Sequence, residues 1–358
     1  MTILSTIAFA DLAREQLRFQ IGSHNANDLA LKHKVIAADA DSKINILNRE
    51  LDRWDHVREG LEDVIDNLGN TVTRAQTIRS KLEELISATF KAQYGDTISE
   101  DSHAAIFDSY IKGINSTAEN RGRYVNLIGD ADESGLKYVT DIYQATETVD
   151  DTFLGTDYVI EQDGGLYEWR RDTDYGGYFL RQHEVDTGAE TGIFTTINGG
   201  LRLDSISGTD VTFTIDFETS DAQQFSGTIV TEGLGILDAW AYENMLTADG
   251  RTRAYEDINS AKVTVDLHIA RLKGELAAAQ YHDNRAQTRS QAINDSVDGT
   301  TRAALLDLQE AQTAAERTQF LSDAQIEAAK NIRFRYKQLL QYAPENEGIT
   351  KALVDVLA

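Results

Sequence analysis

The sequence predicts an α+β fold: long antiparallel N- and C-terminal helical arms that form a coiled-coil or bundle core, with an antiparallel β-rich outer domain inserted between them. Apolar residues recur every three or four positions over residues 1–145 and again over 245–358, while the residues between read as short β-rich runs split by glycine pairs. The single proline, Pro344, lies close to the C-terminal end, so the first arm, and the second up to that point, are free of the residue that most reliably breaks helices. An arm with one apolar stripe cannot bury it alone. The natural cover for the first arm is the last one.

In the first arm Ile44, Leu47, Leu51, Trp54, Leu61, Ile65 and Leu68 keep the three-four rhythm, with charged residues such as Arg49, Glu50, Arg53 and Glu59 between them. Gly69–Asn70 reads as a soft interruption, after which Val72, Ile78, Leu82, Leu85 and Ile86 carry the stripe to Phe90. KAQYGDTISEDSH reads as a loop, with Ser99 or Asp101 as helix cap. A further amphipathic piece carries Ile106, Phe107, Tyr110, Ile111 and Ile114.

The character changes near Asp150. TDYVIEQ, LYEWRR, GYFLRQHEV, GIFTTI, GLRLDSI, DVTFTIDFE and FSGTIVTE read as strands, and DGG, DYGG, NGG and SGTD between them as hairpin turns. An antiparallel sheet, small barrel or sandwich on the surface is the expectation. Trp169 and Trp240 read as its core and the anchor of its exit.

The second arm carries Ile258, Val265, Ile269, Leu272 and Leu276, then Ile293, Val297, Leu305 and Leu308. Ala311, Ala314, Ala315, Phe320, Ile326, Ala329, Ile332, Leu339 and Leu340 follow, and Ile349, Leu353, Val356 and Leu357 share one helical face after Pro344. An apolar tail of this kind calls for a partner. The expected organisation is terminal helices 1–45 and 315–358 as an inner polymerisation core, 46–149 and 240–314 as a helical-bundle outer core, and 150–239 as the β-rich surface domain. The residues expected at the polymerisation and core interface are Ile44, Leu47, Leu51, Trp54, Leu61, Ile326, Ile332, Leu339, Leu340, Ile349, Leu353, Val356 and Leu357.

Composition narrows the function. A net charge of −25 argues against nucleic acid, which is bound by neutralising phosphates. Cysteine is absent, which removes disulfides and thiolate chemistry. Hydrophobic content of 41% and mean hydropathy of −0.39 fit a folded chain, and no run of about 18 apolar residues suggests a membrane span. The opening MTILSTIAFADLAREQLRFQ lacks the features of a cleaved secretory signal.

Catalytic patterns are weak. His24, His33, His56, His103, His183, His268 and His282 make no pair at metal-site spacing, and the glycine pairs are not followed by Gly-Lys-Ser/Thr as in a phosphate loop. Asp172 and Asp174 miss the calcium-loop spacing. Tyr158, Tyr167, Tyr175 and Tyr178 are better read as strand residues than as a sugar-binding face. No enzyme, metal or cofactor is expected.

Three tracts carry a family likeness: LEDVIDNLGNTVTRAQTIRSKLEELISA through FDSYIKGINSTAENRGRYVNLIGD, then DINSAKVTVDLHIARLKGELAAAQYHDNRAQTRSQAINDSVDG, and finally DAQIEAAKNIRFRYKQLLQYAPENEGITKALVDVLA. In order and register these arms resemble the bacterial flagellin family, together with its relative at the hook–filament junction. The resemblance implies a structural subunit that polymerises through its terminal helices into an extracellular flagellar filament for motility, exported without a cleaved signal peptide. It implies as partners further copies of the chain, an export chaperone and hook and cap proteins. A hook–filament junction or hook-associated protein, and a phage-tail-like or adhesive fibre component, are the alternatives.

Overall fold

A computed structural model describes residues 2–93, 100–120, 122, 124–129, 135–172 and 179–342; within them the side chains of 2–14, 17, 93, 100–102, 337 and 339–342 lie outside the description. Helix α1 spans Thr2–Gln93 and α2 spans Glu100–Ala118. Nine strands follow, and the last helix, α3, spans Ala248–Tyr342. The described residues fall into two compact bodies, one within Met1–Arg53 and Thr288–Ala358, the other within Trp54–Gln287.

In the second body α1 and α3 run antiparallel, as facing pairs record. Arg79 Nε donates to Asp266 at 2.6 Å, Lys262 Nζ lies 3.5 Å from Glu83, Arg58 lies 3.6 Å from Asp283, and the Phe90 and Tyr255 rings meet at 5.5 Å. Leu61, Leu68, Ile78, Leu82 and Leu85 are wholly buried on α1, as are Ile258, Val265 and Leu272 on α3. The sequence suggests an interruption at Gly69–Asn70, yet α1 continues through it. Buried Leu68 and Val72 on either side outweigh the weak helix propensity of glycine, and the Thr71 and Thr73 hydroxyls bond back one turn to the carbonyls of Asn67 and Gly69.

Helix α2 adds a third layer, burying Phe107, Ile111, Ile114 and Ala118 completely. The expected 91–103 loop is shorter than the sequence implies, since α1 continues to Gln93 and α2 begins at Glu100; Ser99 lies outside the described residues. Arg74 of α1 caps the end of α2, its guanidinium donating to the carbonyls of Thr117 and Ala118 and to Asn126 Oδ1. Burial lowers the Arg74 pKa. Those last carbonyls have no partner inside the helix, which is why a half-buried cation fits there.

A two-stranded hairpin, β1 (Leu136–Val139) and β2 (Thr146–Val149), packs on α3. Its Tyr138 and Val149 are buried, Glu147 lies 3.2 Å from His282 Nε2, and Arg271 donates to the Asp150 carbonyl at 3.0 Å.

The larger sheet has seven strands: β3 (Thr156–Gln162), β4 (Tyr167–Asp172), β5 (Phe179–Glu184), β6 (Glu190–Thr196), β7 (Leu201–Ser207), β8 (Asp210–Ile215) and β9 (Gln223–Gly233). Their spatial order is β6-β5-β4-β3-β9-β8-β7, and every neighbour pair is antiparallel. One face is apolar, with Ile160, Trp169, Leu180 and Phe213 fully buried and Trp169 meeting Phe225 edge-on at 4.9 Å. The pairings of both edge strands contain a register shift, between Arg181 and His183 and between Leu203 and Ser205, which disfavours sheet-to-sheet pairing through those edges. The entering strand β3 and the leaving strand β9 are central neighbours, with Thr156 opposite Gly233, so the chain leaves and rejoins the helices at one place.

Candidate assembly surface

Among the described residues, the body within Met1–Arg53 and Thr288–Ala358 holds two helical stretches. Arg18 Nε donates to Asp323 at 3.0 Å and Asn25 Nδ2 to Gln319 at 3.5 Å, which sets the two antiparallel. On α1 the face toward α3 carries Ile21, Leu29, Ile36, Ile44, Leu47 and Leu51, all half-buried; Ala40 is buried, at 8% exposure. On α3 the half-buried positions include Ala304, Leu308, Ala311, Ala315, Gln319, Ser322, Ile326 and Ala329, again at threes and fours.

Side-chain size is sorted the wrong way round for a finished core. Half of those α3 positions are alanine, while Leu305, Leu306, Phe320, Leu321, Ile332 and Phe334 are 54% to 72% exposed. On α1, Phe19, Leu31, Val35 and Ile46 are 60% to 78% exposed. An open groove of about 440 Å³ runs between the helices, floored by Gly22, Ala26, Leu29 and Ala315 and edged by Phe320. A helix that turns bulky apolar side chains to both sides serves more than one neighbour.

The interface residues expected from sequence divide accordingly. Ile44, Leu47, Leu51 and Ile326 are half-buried between the helices, and Ile332 faces outward at 57% exposure. Trp54 and Leu61 are buried, at 4% and 0%, in the body Trp54–Gln287. Leu339 and Leu340 belong to α3 with side chains outside the description, and Ile349, Leu353, Val356 and Leu357 lie outside the described residues. The two-sidedness of the arms has a signal in the sequence: Leu305–Leu306 and Phe320–Leu321 are adjacent pairs, and two neighbours on a helix cannot share a single narrow stripe.

The most strongly perturbed titratable groups lie in the other body, where the sheet meets the helices. Asp238 is fully buried; it accepts from the Tyr158 hydroxyl at 2.9 Å and pairs with Arg171 at 3.3 Å. Trp240 Nε1 donates to the Tyr158 oxygen at 3.0 Å, and the Tyr242 hydroxyl donates to Asp257 at 2.7 Å. Asp108 of α2 accepts the Ala239 N–H at 2.7 Å. Burial, then the neighbouring Asp238 carboxylate, push the Asp108 carboxyl up to about 8. Burial also raises Asp238, against the pull of Arg171, and raises the Tyr158 and Tyr242 hydroxyls. Asn115 binds Thr156 on both sides, donating to its carbonyl and accepting its N–H. These groups satisfy one another, so the cluster acts as a fastener for the root of the sheet. Sequence reasoning missed it because its partners are far apart in the chain.

Among the described residues no group of three His, Asp or Glu side chains stands close enough to hold a metal ion, and no helix is long and apolar enough to cross a membrane.

No family model and no curated protein matches this chain. Among solved structures, it is similar to the flagellar junction protein FlgL from Legionella pneumophila, with 11% identity and a TM-score of 0.35, covering 74% of this chain and 99% of that one. It is also similar to FlgL of Xanthomonas campestris, with 13% identity and a TM-score of 0.24, covering 76% and 97%.

Proposed function

We propose that the chain is a structural subunit of a flagellum that joins its neighbours through its helical arms. The observation that carries this reading is the outward set Phe19, Leu31, Val35, Ile46, Leu305, Leu306, Phe320, Leu321, Ile332 and Phe334, all more than half exposed. Exposed apolar side chains on this scale favour burial by association, at about 25 cal/mol for each Å² removed from water. The order and register of the arms, which resemble those of flagellins and their junction relative, supply the flagellar setting.

Two placements share such arms: the body of the filament, and the junction between hook and filament, the alternative that the resemblance of the arms also implies. A filament subunit makes a head-to-tail contact that repeats without closing, whereas a junction protein stops at a short ring. The test is sedimentation and electron microscopy of purified full-length protein, alone and with hook protein. Long uniform filaments from the protein alone support the filament body; short assemblies that form only on hooks support the junction. A protein that stays monomeric under both conditions overturns the reading.

A variant separates assembly from folding. Phe320→Asp together with Phe334→Asp should leave the circular dichroism spectrum and melting temperature within error of wild type, because both side chains face solvent. Assembly should fall at least tenfold.

A further inference from the structure

Charge is divided unevenly along the chain. Of its 59 Asp and Glu and 34 Lys and Arg, the body within Met1–Arg53 and Thr288–Ala358 holds 17 and 15, a net of −2. The body Trp54–Gln287 carries the remaining 42 and 19. Its most one-sided part is the seven-stranded sheet: between Thr156 and Gly233 there are 15 Asp and Glu, four Arg and no Lys, a net of −11.

Those four cations are already engaged. Arg170 pairs with Glu168, Arg171 with Asp238 at 3.3 Å and Asp157 at 3.4 Å, Arg181 with Asp172 at 2.5 Å and Glu190 at 3.3 Å, and Arg202 with Asp204 at 3.0 Å. Glu161, Asp186, Glu218 and Glu232 are exposed and meet no cation among the described residues. Among those residues no three carboxylates stand close enough to hold a metal ion, so the surplus acts as a field rather than as a binding site.

The arms show the opposite combination: they are nearly neutral and carry Phe320, Leu321, Ile332 and Phe334 exposed. Coulomb repulsion grows with the product of the two charges, so at equal separation two sheets of −11 repel about thirty times as strongly as two arm bodies of −2. Attraction and repulsion sit on different parts of one chain, joined by α1 and α3, which run unbroken through both bodies. Burial of apolar surface is not an ionic interaction, whereas the reach of the field shrinks from about 30 Å at 0.01 M ionic strength to about 8 Å at 0.15 M. We infer that the sheet is an electrostatic brake on assembly: it holds copies apart at low ionic strength and lets the arms associate once salt screens it. This regulation rests on the assembly reading, because it needs arms that associate.

Sedimentation velocity of the full-length protein between about 0.01 M and about 0.15 M NaCl tests this. Wild type should associate at least tenfold more strongly at the upper end. Combining Glu161→Gln, Asp186→Asn, Glu218→Gln and Glu232→Gln takes the sheet from −11 to −7, which cuts the product of the charges to about two-fifths. All four side chains are exposed, so the circular dichroism spectrum and melting temperature should match wild type. The variant should associate more strongly than wild type at low salt, and the two should converge at high salt. Parallel salt curves for the two proteins would mean that salt acts elsewhere than on the sheet, and the inference falls. Wild-type association that is flat or declines with salt also overturns it, and leaves the assembly reading in place. No association at any salt removes both.

Discussion

Helices α1 and α3 each run through two regions in which similar apolar patterns meet different fates. Between Trp54 and Gln287 the stripe is sealed: Trp54, Leu61, Leu68, Leu82, Ile258, Val265 and Leu272 are at most 4% exposed. Between 15 and 53 and between 288 and 336, the only buried residues among those described are Ala40, Ser290 and Ile293. The difference lies in cover rather than in the stripe. The first region adds α2 and the β1–β2 hairpin to the helix pair, whereas the described residues of the second are the pair, and two helices leave most of each other's circumference in water. A three-four rhythm fixes which residues share a face; what buries that face is decided by the elements available.

The comparison breaks most sharply under truncation. Leu68→Ala, at a position with no exposure, should cost about 2–5 kcal/mol in urea unfolding, because it removes buried methyl groups and leaves a cavity. Leu31→Ala, at 62% exposure, should stay within about 0.5 kcal/mol by the same measurement. Its effect should instead appear in assembly. Equal losses of stability at both sites would remove the distinction between a finished core and one awaiting a neighbour.

Much of this contrast is readable in the sequence, and the unread part has physical causes. The arms follow from period and from the absence of proline before Pro344, and β3 coincides with the run TDYVIEQ. The β1–β2 hairpin escapes because LKYV and TETV are four-residue strands in a polar context, too short to show a period. The fastener at the sheet root escapes because Tyr158 and Asp238 are 80 residues apart and Asp108 and Ala239 are 131 apart. On the arms, the stripe was legible, but which of its members turn outward was not. Phe320 and Ile326 sit in one apolar run, and only the placement of α1 shows that Ile326 is half-buried against the helix pair while Phe320 stays 72% exposed at the edge of the groove.

Acidity offers a way to sharpen the sealed half. The folded pKa of Asp108 is raised to about 8 from an ordinary 3.8, so the folded chain keeps this proton where the unfolded chain has lost it. Its contribution to stability is complete below about pH 4 and is lost as pH rises toward 8. Asp108→Asn keeps an acceptor for the Ala239 N–H and carries no charge at any pH. The stability of the variant minus that of wild type should therefore grow from pH 4 to pH 8, by an amount on the order of a few kcal/mol, and level off above it. A difference that is flat across this range means that Asp108 is ionised throughout and that Arg171 neutralises both carboxylates.

A small net effect is expected at the border between the two regions, where Trp54 fills the seam with its ring but leaves its Nε1–H buried with no hydrogen-bond partner. A buried donor without an acceptor costs about 1–3 kcal/mol, while the ring contributes through contact area. Trp54→Phe removes the orphan donor along with part of the indole's volume. The two changes oppose each other, since trimming the ring opens a small void of the kind that costs about 1 kcal/mol. The net should lie within about 1 kcal/mol of zero in chemical denaturation, against the several kcal/mol expected for Trp54→Ala. The ratio of these two losses reports how tightly the seam is closed at this point. A Phe variant as damaging as the Ala variant would show that indole volume, and so close packing, extends through residue 54 without slack. A Phe variant that gains stability would place Trp54 where the sealed core has begun to loosen.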